Sequence, residues 1–97
     1  MFSEHVMQAI VTFLQRGLID KSGDDALLVV EDFPEGVRLM GYRREKALPE
    51  LIEAGMSIEY QEMLSKKAPP GFFWLVFVAE DRSVVVALVT RKQFGVN

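Results

Sequence analysis

The densest run of residues able to do chemistry is Arg38–Lys46, RLMGYRREK, in which Arg38, Arg43, Arg44 and Lys46 place four cations around Tyr42. Guanidinium forks match the oxygens of a carboxylate or phosphate, and a helix expected just downstream would add N–H donors at its start. One function for the run is therefore a small anion site. The plainer reading is a solvated strand-to-helix corner whose arginines pair with Glu45 and the acidic segments that follow. A nucleic-acid accessory role would use the same run together with Arg91 and Lys92. The formal net charge of −3 and the acidic stretches on both sides weigh against it, because nucleic acid selects a basic surface.

A second grouping is aromatic. Tyr60 and Trp74, with Tyr42 and the methionines, could wall a small-molecule pocket gated by Arg43 or Arg44. Such side chains serve more often as ordinary core. The candidate binding or interface residues are thus Arg38, Tyr42, Arg43, Arg44, Tyr60 and Trp74.

For catalysis the sequence offers little. There is no cysteine, which removes disulfides, thiolate metal sites and cysteine nucleophiles. His5 is the one histidine, so a histidine cluster or triad would need a second chain. Glu31-Asp32 and Glu80-Asp81 could make a carboxylate pair, but acids at strand ends are ordinary turn residues. The run Lys21-Ser22-Gly23-Asp24-Asp25 lacks the Asp-x-Asp-x-Asp-Gly rhythm of a calcium loop and reads as a turn. Neither an enzyme, a cofactor nor a metal is expected.

The elements that would position these residues follow from periodicity. The chain of 97 residues is expected to be a single domain of α+β class, a mainly antiparallel sheet of about four strands in α-β-β-α-α-β-β order. Phe2–Arg16 repeats its apolar residues at helical spacing, with Ser3 as N-cap, Phe2 stapled on Met7, and Gly17 and Leu18 closing the far end. Ala26–Glu31 and Val37–Tyr42 form a hairpin across Phe33-Pro34-Glu35-Gly36. The return strand puts Arg38, Met40 and Tyr42 on one face, which suits a sheet edge. Ala47–Ala54 is a short helix with Pro49 in its first turn. Met56–Lys67 fits strand alternation or a helical stripe; its Glu, Gln, Met, Leu and Lys content and a capping Ser57 favour the helix.

The C-terminal hairpin, GFFWLVFVAEDRSVVVALVT (71–90), dominates the chain. It turns at Glu80-Asp81-Arg82-Ser83, and both of its faces are apolar: Trp74, Val76 and Val78 alternate with Phe73, Leu75 and Phe77. Each buried side chain contributes roughly 1.5–3 kcal/mol, so leaving one face in water would forgo an amount comparable to a domain's whole stability of about 5–15 kcal/mol. The N-terminal helix covers one face. The middle helices or a second subunit must cover the other. Because those helices are short, the expectation is a second subunit, and with it a non-enzymatic protein-interaction module acting as a homodimer. Phe94 lies past the hairpin and either folds back or frays. No segment has the length of a membrane span or the form of a targeting signal, so a cytoplasmic address is expected.

Overall fold

Alternating apolar residues in two hairpins and three amphipathic stretches build the elements α1 (Glu4–Gln15), β1 (Ala26–Phe33), β2 (Gly36–Arg43), α2 (Arg44–Glu53), α3 (Ile58–Leu64), β3 (Phe73–Val78) and β4 (Val84–Val89), followed by a 3₁₀ turn at Arg91–Phe94. The structure is a computed structural model and describes residues 2–17, 19 and 25–96. The class is α+β.

The sheet order is β2-β1-β3-β4. The two hairpins pair antiparallel, as their short turns require, but the central pair β1–β3 is parallel, with Leu27 opposite Trp74 and Val30 opposite Phe77. The sheet is therefore mixed but mainly antiparallel, as expected: two of its three pairings are antiparallel and the central one is parallel. The cause is the connection: α2 and α3 carry the chain back over the sheet, so β3 starts from the same end as β1.

That crossover settles how the second face is covered. On one face Val6, Ile10 and Leu14 of α1 pack with Leu28, Val30, Phe73, Leu75 and Val89. On the other, Ala47, Leu64 and Ala68 pack with Leu27, Trp74, Val76 and Val86, and Leu48, Leu51, Met56, Tyr60 and Met63 close around them. Alternation along β3 and β4 sends its side chains to these two layers as the sequence implies. The second face is closed by the middle helices of the same chain, which removes the reason for placing a second subunit there.

Four local outcomes refine the sequence reading. Met56–Lys67 is helical over Ile58–Leu64, with Ser57 Oγ accepting from the Tyr60 N–H at 3.3 Å. Helix α2 begins at Arg44, so Pro49 lies inside it and not in its first turn. The missing N–H of Pro49 is tolerated in a helix held instead by the buried Arg44 and Ala47. Ser3 stands at the start of α1 without a side-chain cap bond, because its hydroxyl meets His5 Nδ1 at 3.0 Å. Phe94 folds back into the α1 layer, held by Thr90 and Gln93, which bond each other's backbone across the 3₁₀ turn. The helix closure by Leu18 and the turn over 21–24 lie outside the described residues.

Among the described residues no helix is long and apolar enough to cross a membrane.

Candidate functional site

The site begins with an edge strand. β4 is one edge of the sheet and β2 the other. β2 carries Arg38 and ends in Arg43, and charge on an edge strand discourages a further strand. β4 reads VVVALV: no charge, no proline, and an unbroken register against β3 from Val84–Val78 to Val89–Phe73. Val85 on this strand is exposed and Leu88 is half-buried.

The hairpin turn fixes which backbone groups of β4 face outward. The Ala79 N–H donates to Ser83 O at 2.9 Å, and the Arg82 N–H to Ala79 O at 2.9 Å. Hydrogen-bonded pairs alternate along an antiparallel ladder, so Val85, Ala87 and Val89 bond β3, whereas Val84, Val86 and Leu88 turn their N–H and C=O away from it. The Tyr60 hydroxyl donates to Val84 O at 3.0 Å, which satisfies the first of these outward carbonyls from α3. Among the described residues, Val86 and Leu88 are left as the free part of the edge.

Beside this edge lies a cleft of about 480 Å³ between the α2–α3 connection and the end of the β3–β4 hairpin. Leu51, Met56, Tyr60, Val76, Val78 and Val84 supply its apolar walls, and Arg82 stands at its mouth. Arg82 occupies the third position of the turn with φ +68°, left-handed backbone that a hairpin of this kind normally gives to glycine. Its Nη2 is 3.2 Å from Glu31 Oε2, and its guanidinium lies 5.5 Å over the Phe33 ring. Arg38 approaches the other oxygen of Glu31 at 4.0 Å, so two guanidiniums share one carboxylate. In the same turn Asp81 accepts from the Ser83 hydroxyl at 2.6 Å and the Ser83 N–H at 2.9 Å. The hydroxyl bond first, and the backbone bond after it, hold the Asp81 carboxyl below its ordinary pKa.

Of the six residues singled out by type, the fold gathers Tyr42, Tyr60 and Trp74 into the layer on the α2–α3 side of the sheet and sends the three arginines to different places. Arg38 and Tyr42 share the α2–α3 face of β2, where Arg38 Nη2 and the Tyr42 hydroxyl both meet Met40 Sδ, at 3.3 and 3.1 Å. Tyr60 lines the cleft. Arg43 falls by alternation on the α1 side of β2 and is exposed. Arg44 is buried: its Nε is 2.7 Å from Asp25 Oδ1 and its Nη1 donates to Leu64 O at 2.9 Å, pinning the end of α3 to the start of β1. Trp74 is likewise buried and donates from Nε1 to Lys66 O at 2.9 Å. The basic run is thus not gathered into one anion site. Glu31 pairs with arginines, Asp32 with His5 at 3.2 Å, and Asp81 with its own turn.

Two features escaped reading by residue type, the Arg82 cation and the free edge at Val86 and Leu88. The first had a signal, a charged residue at the third place of a three-residue hairpin loop. The second needs the strand order. No family model matches this chain, and no curated protein or solved structure matches it either.

Proposed function

We propose that this protein is a non-enzymatic interaction module that works as a homodimer, joined through its two β4 edges into a continuous eight-stranded sheet. One observation carries the reading: β4 is an edge strand of six uncharged, unbulged residues whose Val86 and Leu88 backbone groups face away from the sheet. An edge of this make-up is a template for another strand, and soluble proteins usually blunt it with a charge, a proline or a bulge.

Pairing of two copies fits the strand's own symmetry. An antiparallel β4–β4 ladder centred on Ala87 sets Val86 of one copy opposite Leu88 of the other, using the outward groups of both. It covers the exposed Val85 with the partner's Val89. The two β2 edges stay outward, available to other molecules.

Light scattering across the micromolar range tests the assembly. The expected mass is twice the chain's 11.0 kDa. Val85→Lys, which places a cation on the edge but can reach water in a lone copy, is expected to return the single-chain mass with unchanged circular dichroism. A monomer at every concentration, or a dimer indifferent to that lysine, overturns the proposal.

A further inference from the structure

We propose that the cleft between the α2–α3 connection and the β3–β4 hairpin binds an apolar chain ending in a carboxylate, with Arg82 taking the carboxylate. At about 480 Å³ the cleft has the size of small-ligand sites, which run from about 300 to 1,000 Å³. Its walls are aliphatic, aromatic and thioether surface.

The polar groups in the lining decide the ligand's polarity. Ser57 caps α3, and the Tyr60 hydroxyl is spent on Val84 O. What remains is Arg82, whose side chain is 58% exposed at the mouth. Its partner Glu31 is shared with Arg38, so the cluster of three carries one surplus positive charge. A guanidinium has five N–H donors, more than the one contact with Glu31 uses. Asp81, the acid beside it in sequence, is engaged by Ser83.

The backbone supplies an independent argument. A non-glycine residue in the left-handed region is strained, and the turn would form more easily with glycine. The chain nevertheless holds an arginine there, steadied by the Phe33 ring and Glu31, with its head at the end of an apolar cleft. Strained backbone that sets a charge at a pocket mouth is the pattern of a ligand clamp.

The probe is decanoate, used below its micellar range, with decanol and decyltrimethylammonium as neutral and cationic counterparts of equal chain length. Titration into isotope-labelled protein is expected to move the resonances of Met56, Tyr60, Val76, Val84 and the Arg82 side chain. Decanoate should bind about tenfold or more tightly than decanol, as a charge-assisted contact implies. Arg82→Gln, which keeps the backbone demand and removes the charge, should erase that advantage and leave decanol binding unchanged. Arg82→Gly does the same in a variant free of the strain, should the glutamine form be unstable. Val85→Lys should keep decanoate binding, so loss of the dimer and loss of the ligand site are told apart. The proposal is overturned by any of three results: no shifts at the cleft, shifts confined to the groove between α1 and β2 around Phe13 and Leu39, or equal affinity for all three amphiphiles in the native protein and in Arg82→Gln.

Discussion

Arg43 and Arg44 are adjacent, chemically identical and opposite in role, because the strand ends at one and the helix begins at the other. Arg44 is drawn inward by the Asp25 carboxylate at 2.7 Å and by the last carbonyl of α3, whereas Arg43 faces solvent. Arg44→Leu would leave Asp25 and Leu64 O without their partner in a mostly dry setting, and a broken buried pair costs roughly 3–5 kcal/mol. Asp25 keeps some exposure, so the lower end is expected, about 3 kcal/mol by urea unfolding. The matched Arg43→Leu should stay within about 0.5 kcal/mol, the range of ordinary surface changes. Equal losses from the two variants would mean that the Arg44 bonds contribute nothing specific. Residue type alone could place both arginines in a basic corner and no further. The division between them rests on a boundary residue, the least legible feature of a sequence.

At the scale of elements the hairpins and helices were legible because their periods are plain. The faces of β3 and β4 fall where alternation puts them, and Ser57 starts α3 as a capping serine should. What could not be read was the cause of the turn at Glu80-Asp81-Arg82-Ser83, which combines a left-handed arginine with an aspartate bonded by Ser83. That bonding gives the turn a pH dependence of definite sign. The folded pKa of Asp81 is lowered from 3.8, so the folded turn prefers the ionised form. Its contribution is present above the unfolded value and is lost as pH falls through the folded one. Ser83→Ala removes the larger of the two bonds to the carboxylate. Carboxyl-carbon NMR titration should then show the Asp81 midpoint rising toward 3.8, with the turn loosening at a higher pH than in the native chain. An unmoved midpoint would show that the serine hydroxyl does not set it.

For the whole molecule, the sequence carries the demand that the C-terminal hairpin be covered twice, and the fold meets it within one chain. A second subunit expected from the sequence belongs on a sheet face; the middle helices occupy that face, and the unpartnered surface among the described residues lies instead along a strand edge. Strand order is a long-range property, decided by where a crossover lands, and local alternation does not contain it. The order β2-β1-β3-β4 makes a particular pattern of amide exchange in the β3–β4 hairpin. Val85 and Ala87 donate into β3 and should exchange slowly at any protein concentration. Val86 and Leu88 point outward and should exchange quickly in dilute solution, although they belong to the same regular strand. If two β4 edges pair, those two amides acquire carbonyl acceptors on the partner, and their protection should rise with concentration while that of Val85 and Ala87 stays fixed. In Val85→Lys the dependence should vanish and the dilute pattern persist throughout. Protection at Val86 and Leu88 that is already high in dilute native protein would mean that the edge is closed from within the chain. Protection that stays low at every concentration would leave the edge without a second copy.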